Sequence, residues 1–450
     1  MKRKGLVLLC AVVLAGCSGK AETSTTHAPV MAEVSNTASS KAGSATPEPT
    51  KTSEVPVIQT EAPEAKKYSL EYNEKKISVD DDVAAVISSL GDARKEETVT
   101  SKAFVGEEKI YTYDALTLVT YPGDTKDYIE SISLRKDSIA TAEGIKIGSS
   151  KSELEGTYGD KLEKGKNGIY TCKIDNTELR FIVLNDKVAA IDLFSDVKNK
   201  KLTSDKSKPE VVNAFEVTLY TDQKEEEVDY YRYVAASDER DVHPRVVADY
   251  SAVDMSKTGS YKVVYYAYDR AGNRSSKMTT TYTVAEKEAN YTEPDKVDKL
   301  ADQVVKKIIK EDMSTQQKCT AIYKWIRSNF SYSNTSDKID WVQAANNGLR
   351  RKTGDCFTYY SVAQELLYRS GVQSMRVQKN PGYESTHYWN LVYVPDQGWY
   401  HFDTTPRVGG GDNFDLVTDS WLLNYSRNHS NSHDFDTSKY PATPTKSVQK

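Results

Sequence analysis

The chain has 450 residues, and at roughly 150 residues per domain it is expected to form two or three folded units. Hydrophobic residues reach 38% with 30 Tyr in that count. Exchanging Tyr for Gly, to match the usual apolar set, leaves roughly 36–37% against about 45–50% in globular chains, so part of the chain is unfolded or its domains are thin and β-rich. The formal charge is −5, from 60 basic and 65 acidic residues, and no segment forms a basic stripe. That excludes nucleic acid as the main partner.

At the N-terminus, Lys2, Arg3 and Lys4 precede an apolar run from Leu6 to Leu14, too short to span a bilayer. The run ends Leu14-Ala15-Gly16-Cys17, which resembles the bacterial lipoprotein signal. The resemblance implies cleavage within residues 1–17, lipidation of Cys17, and an exported protein anchored to the outer face of the bacterial cell membrane. Residues 18–66 are rich in Ser, Thr, Ala, Pro and Glu. They cannot bury enough apolar surface to offset ordering entropy and read as a disordered tether spanning roughly 40 Å. Beyond it only Cys172, Cys319 and Cys356 remain, too few and too scattered for a disulfide framework in an oxidising compartment.

Residues 67–201 contain an internal repeat. Ile77–Asp92 aligns without gaps to Ile145–Asp160, an offset of 145 − 77 = 68. Each copy reads as an extended segment, a short helix stopped at Gly91 or Gly159, then three strands. The expected unit is a duplicated α+β module, resembling small modules of bacterial envelope lipoproteins. Cys172 alternates with Tyr170 and Ile174 on one strand face and is expected in the core.

Residues 207–286 are expected to be all-β: Gly259–Ala267 alternates cleanly and Asp269–Asn273 is a turn. The string "GSYKVVYYAYDRAGN" resembles bacterial immunoglobulin-like surface domains, implying a sandwich with a spacer or wall-binding role. From residue 288 to 450 the pattern turns helical. Val297, Leu300, Val304 and Ile308 recur at helical spacing, and Ser314 with Gln317 forms a capping-box pattern before a helix that buries Cys319.

The chemistry concentrates after residue 350. Cys356 follows Gly354-Asp355 and begins a helix whose core face is Tyr359, Val362, Ala363, Leu366 and Leu367. A helix N-terminus favours thiolate and offers a backbone N–H to an oxyanion. A thiol nucleophile needs a base, and the base an orienting acceptor. His387 on the strand Thr386–Val394 and Asp403 on the returning strand are those candidates. In a hairpin the numbers of directly paired residues have a constant sum. The two side chains share a face only if that sum is even, such as 792, so an odd loop or a bulge is expected between them.

Together "GDCFTYYSVAQELLYRSG", "HYWNLVYV" and "GWYHFDTTP" resemble the transglutaminase-like superfamily of papain-fold thiol enzymes. The resemblance implies an α+β papain-like domain with Cys356 as nucleophile, His387 as base and Asp403 as orienter. Trp389, Trp399 and His401 are expected to wall the site. Arg350, Arg351 and Lys352 read as a solvated face, and His429 and His433 as members of a tail without helical pattern. No cofactor or metal is expected. The expected activity is a cell-surface cysteine acyltransferase or peptidase acting on protein or peptide amides through a thioester. The alternative is a non-catalytic adhesin or wall-binding scaffold.

Overall fold

In the computed structural model, residues 67–450 are described, apart from 103, 197–199, 288–290, 335–337, 408–412, 447 and 449–450. The signal and tether readings lie outside the described residues. Helices Val83–Leu90 and Lys151–Tyr158 begin 151 − 83 = 68 residues apart. Each starts where a short polar side chain caps free N–H groups: Asp82 accepts from Ala85, and Ser150 closes a capping box with Glu153.

Four strands follow each helix. After the first come Lys95–Thr100, Glu107–Thr112, Leu116–Tyr121 and Tyr128–Leu134. After the second come Glu163–Lys164, Ile169–Ile174, Thr177–Leu184 and Lys187–Ser195. All eight form one antiparallel sheet in which the fourth strands of the two sets pair at the centre, with Leu193 opposite Ile132. Strand alternation splits the sheet into two faces. One face, with Leu118, Ile132, Phe181 and Leu193, packs with Val86 and Leu154 of the helices; Cys172 is buried in that core. Ile182 and Ala190 pack instead against Val247 and Tyr268 of the next region.

That middle region has a four-stranded sheet in the order Val217–Tyr220, Met278–Ala285, Gly259–Tyr268, Arg245–Asp249. Its first pair is parallel and the others antiparallel. A second sheet has only two three-residue strands, Glu210–Val212 and Ala235–Ser237. Between them lies a Tyr-rich core, where the Tyr265 and Tyr282 hydroxyls meet at 2.8 Å and Tyr265 donates to the Tyr230 carbonyl. The pairing satisfies phenol groups that would otherwise be costly to bury.

The described residues fall in one compact unit, and successive regions meet at two junctions. Arg180 and Arg270 share the Glu178 carboxylate at the first junction, and Arg270 lies 4.0 Å over the Phe194 ring. At the second, Phe215 and Tyr233 pack edge-on to Trp341 inside the C-terminal core.

The C-terminal region centres on helix Cys356–Arg369, buried at every position from Cys356 to Leu367. Helices Pro294–Ile308, Thr315–Asn329 and Trp341–Arg351 surround it, and Ser314 and Gln317 form the expected capping box. Its other side meets the antiparallel sheet Ser374–Gln378, Tyr388–Val394, Gly398–Phe402, Asp415–Val417. Gly348 permits the closest helix contact: a Cβ there would lie 2.7 Å from the Thr358 methyl and 2.6 Å from a Val362 methyl. A further helix, Asp419–Asn428, capped by Thr418, stands just before His429, in a stretch whose sequence shows no clear helical stripe.

Candidate active site

Cys356 is placed by its helix start. Asp355 caps the helix, its carboxylate accepting from the N–H groups of Phe357 and Thr358, so the next side chain projects from the first turn. The thiol is 5% exposed and lies 3.8 Å from the Thr386 carbonyl, with the Tyr388 N–H beside it. Those two backbone groups flank His387, so the thiol sits against the histidine's own stretch of chain.

His387 and Asp403 meet through the hairpin. Val394 pairs with Gly398 across the three-residue loop Pro395-Asp396-Gln397, and Asn390 pairs with Phe402, both sums being 792. This is the even register that puts 387 and 403 on one face. Nε2 of His387 lies 2.7 Å from Oδ2 of Asp403, both buried. With Nε2–H donating to the carboxylate, Nδ1 is left as the basic nitrogen.

Two residues join them that the sequence reading had not placed there. Arg407 Nη2 is 2.6 Å from Asp403 Oδ2 and 3.0 Å from His387 Nε2. His433 Nε2 reaches the same carboxylate oxygen at 2.9 Å, and its backbone N–H donates to Ser426 at the end of the helix Asp419–Asn428. Oδ1 of Asp403 accepts from the Thr405 N–H. The only sequence signal for Arg407 was its proximity to Asp403, and His433 carried none. His387, Asp403 and His433 are also spaced to hold a metal ion. The guanidinium on the shared oxygen already supplies the positive charge, so the arrangement is a hydrogen-bonded carboxylate rather than a metal centre.

The electrostatics overturn one expectation. Burial pushes the Cys356 thiol up to about 11, reinforced by the Asp355 carboxylate; Lys338 and the Tyr388 N–H only partly oppose it. A helix start alone would favour thiolate, but here desolvation wins and the resting group is a neutral thiol. Burial also lowers His387 below its ordinary value, against the pull of Asp403 and with the help of Arg407. Burial would raise Asp403, yet His387, Arg407 and His433 hold it well below the usual carboxylate range. His433 is pushed down to about 3, chiefly by burial. The resting site is therefore thiol, neutral imidazole and carboxylate.

The three expected wall residues divide. Trp389 is fully buried and stacks on the His387 ring at 5.5 Å, supporting it from behind. His401 is 1% exposed and forms a second layer: Nδ1 accepts from the Trp389 indole N–H, and Nε2 bonds Asp419 at 2.8 Å. Neither lines an open cleft. Trp399 pairs with and packs on Tyr393 near the hairpin tip, four residues from Asp403, or about 13 Å at the usual strand rise. The wall reading of Trp399 is thus corrected: it shares the strand face but is too far along it. Arg350 and Arg351 are exposed as expected, while Lys352 packs over the Trp325 ring at 4.4 Å. Cys319 is fully buried in the core.

Residues 302–404 match the family described as the transglutaminase-like superfamily. Three solved structures are similar at low identity. A candidate cysteine protease from Cytophaga hutchinsonii is 15% identical with a TM-score of 0.20, over 36% of this chain and 65% of its own. The chain thus spans just under two thirds of that protein's length. The periplasmic domain of TgpA from Pseudomonas aeruginosa, bound to ethylmercury, is 11% identical with a TM-score of 0.18, over 33% and 73%. A TGase is 12% identical with a TM-score of 0.21, over 53% and 68%. No curated protein matches the chain.

Proposed function

We propose that the transglutaminase-like domain at residues 302–404 is a working thiol enzyme that cleaves or transfers protein or peptide amides. One observation carries the reading: His387 bonds Asp403 at 2.7 Å while the Cys356 thiol lies against the backbone on either side of that histidine. Nδ1 of His387 takes the thiol proton as sulfur adds to the substrate carbonyl. The Cys356 N–H, at the helix start and bonded at rest to the Tyr332 hydroxyl, is the donor for the oxyanion once substrate displaces that hydroxyl. Collapse breaks the C–N bond, His387 returns the proton to the departing amine or ammonia, and the acyl group remains as a thioester. Attack by an amine completes transfer; attack by water completes hydrolysis. Asp403 stays ionised throughout and balances the imidazolium.

The remaining parts fit a surface role. Cys17 would be the lipidated first residue of the mature protein, with residues 18–66 as tether. The paired helix-and-strand sets would be a duplicated module and residues 207–286 an immunoglobulin-like spacer, holding the enzyme outside the cell membrane near protein or wall peptide substrates.

Purified chain is incubated with a glutamine-rich protein and a fluorescent primary amine, with released ammonia measured alongside. Label incorporation marks an acyltransferase; ammonia or new peptide termini without label mark a hydrolase. Either activity should vanish in Cys356→Ala. Activity unchanged in that variant, or absent from the wild-type chain on a broad peptide panel, would favour the scaffold alternative. For the anchor, Cys17→Ala should release the protein from membranes; unchanged retention would refute lipidation.

A further inference from the structure

Where the chain passes from the eight-stranded sheet into the middle region, Asp205, Asp238 and Asp269 each bring a carboxylate oxygen within 4.8 Å of the others. They arrive from three separate stretches: the connection after residue 203, the loop after strand Ala235–Ser237, and the turn after strand Gly259–Tyr268. Asp238 is 8% and Asp269 2% exposed, and the Asp205 side chain is 6% exposed.

Asp205 accepts from the N–H groups of Lys206 and Ser207 and from the Ser207 hydroxyl. Asp269 accepts from the backbone and side-chain N–H groups of Asn273. Oδ1 of Asp238 accepts from the N–H groups of Arg240 and Asp241, but Oδ2 of Asp238 is buried with no hydrogen-bond partner. Among the described residues, Arg240 stands 3.7 Å from Asp205 with half its side chain in solvent, while the Arg180 guanidinium and Lys102 donate to the Asp269 and Asp238 carbonyls and not to their carboxylates. Three clustered carboxylates, one with a buried oxygen that lacks a partner, are a costly arrangement unless something positive completes it.

We propose that Asp205, Asp238 and Asp269 bind a calcium ion that clamps the connecting segment to the middle region. Three oxygens within 4.8 Å of one another can close on one ion at about 2.3–2.6 Å, the calcium–oxygen range; magnesium needs about 2.0–2.1 Å and near-ideal octahedral geometry. The all-oxygen donor set favours a hard cation over zinc or copper. Asn273 already touches both the Asp205 carbonyl and Asp269 with its amide nitrogen, and turning that amide end for end adds a fourth oxygen. The site would be a metal centre of the middle region. It stands apart from the thiol site and does not depend on any activity there.

The test is thermal unfolding of the full chain in chelator, in millimolar calcium chloride and in millimolar magnesium chloride. Calcium should raise Tm by about 0.5–2 °C, for a site with Kd near 10⁻⁴–10⁻³ M, and magnesium less. Asp238→Asn and Asp269→Asn should each abolish the calcium shift, while unfolding in chelator no earlier than wild type because a buried like charge is gone. No calcium shift in the wild type, or the same shift in both variants, would overturn the site. Should the variants fail to fold, calorimetric titration of the wild-type chain decides: one calcium per chain supports the proposal and none overturns it.

Discussion

Asp403 Oδ2 receives three nitrogens, and the balance among them sets how His387 titrates. Arg407 both anchors the carboxylate and, lying 3.0 Å from Nε2, disfavours the imidazolium. Arg407→Gln should therefore raise the His387 pKa and move the acid limb of the kcat/KM profile to higher pH. A limb that stays or moves down would mean that Arg407 has turned away in solution. Asp403→Asn keeps the shape but removes the charge that stabilises the imidazolium, and kcat should fall by roughly 10²–10⁴. The raised Cys356 thiol makes a different prediction. With its value near 11, alkylation by iodoacetamide should keep accelerating from pH 6 to pH 9, followed by mass spectrometry at Cys356. A rate already level at pH 6 would show a preformed thiolate–imidazolium pair.

The helix that carries Cys356 is positioned by how closely its neighbours approach. Gly348 on helix Trp341–Arg351 faces the Thr358 and Val362 methyls at distances no Cβ tolerates. Gly348→Ala should cost about 1–3 kcal/mol by overpacking, read as a lower Tm and a lower kcat as the cysteine helix shifts. Thr358→Ser with Val362→Ala deletes both struck methyls and should recover part of the activity in the Gly348→Ala background; no recovery would place the strain elsewhere. The sheet side was more legible than the helix side. Strand parity alone required an even pairing sum around the hairpin, and the three-residue loop supplies it. The helix Asp419–Asn428 had no comparable signal, because its apolar positions are few and its cover over Asp403 comes through His433, beyond its end.

Across the whole molecule, the junction between the eight-stranded sheet and the middle region buries titratable groups against each other. Burial pushes Glu108 up to about 7, with Glu130 adding to it and Ser101 opposing, and pushes Asp241 up to about 7 as well. Both folded values lie above the unfolded ones, so their contribution is fully present below about pH 4 and fades as pH rises toward 7. His243, lowered to about 4 by burial and Arg245, acts oppositely: its contribution is present above about 6.5 and fades toward 4. At this junction two carboxyls outweigh one imidazole, so its own contribution to Tm should decline between pH 5 and 7, against the lowered His387, His401 and His433 elsewhere. Glu108→Gln should flatten that decline, followed by calorimetry across the range. An unchanged slope would mean that the junction opens to water enough to relieve Glu108.

What the sequence determined by itself was local and periodic: the capped helix starts, the 68-residue spacing of two helices, the core faces holding Cys172 and Cys319, and the hairpin parity that joins His387 to Asp403. These follow from 3.6- and 2-residue repeats and from caps, which neighbouring residues set. Tertiary structure alone decided the rest. Arg407 and His433 reach Asp403 only because later chain folds back over it, and Trp399 misses the site because strand length carries it away. The thiol is neutral because burial outweighs the helix start, and desolvation depends on the whole surrounding fold. The Asp205–Asp238–Asp269 cluster, drawn from residues up to 64 positions apart, exists only where two regions pack together.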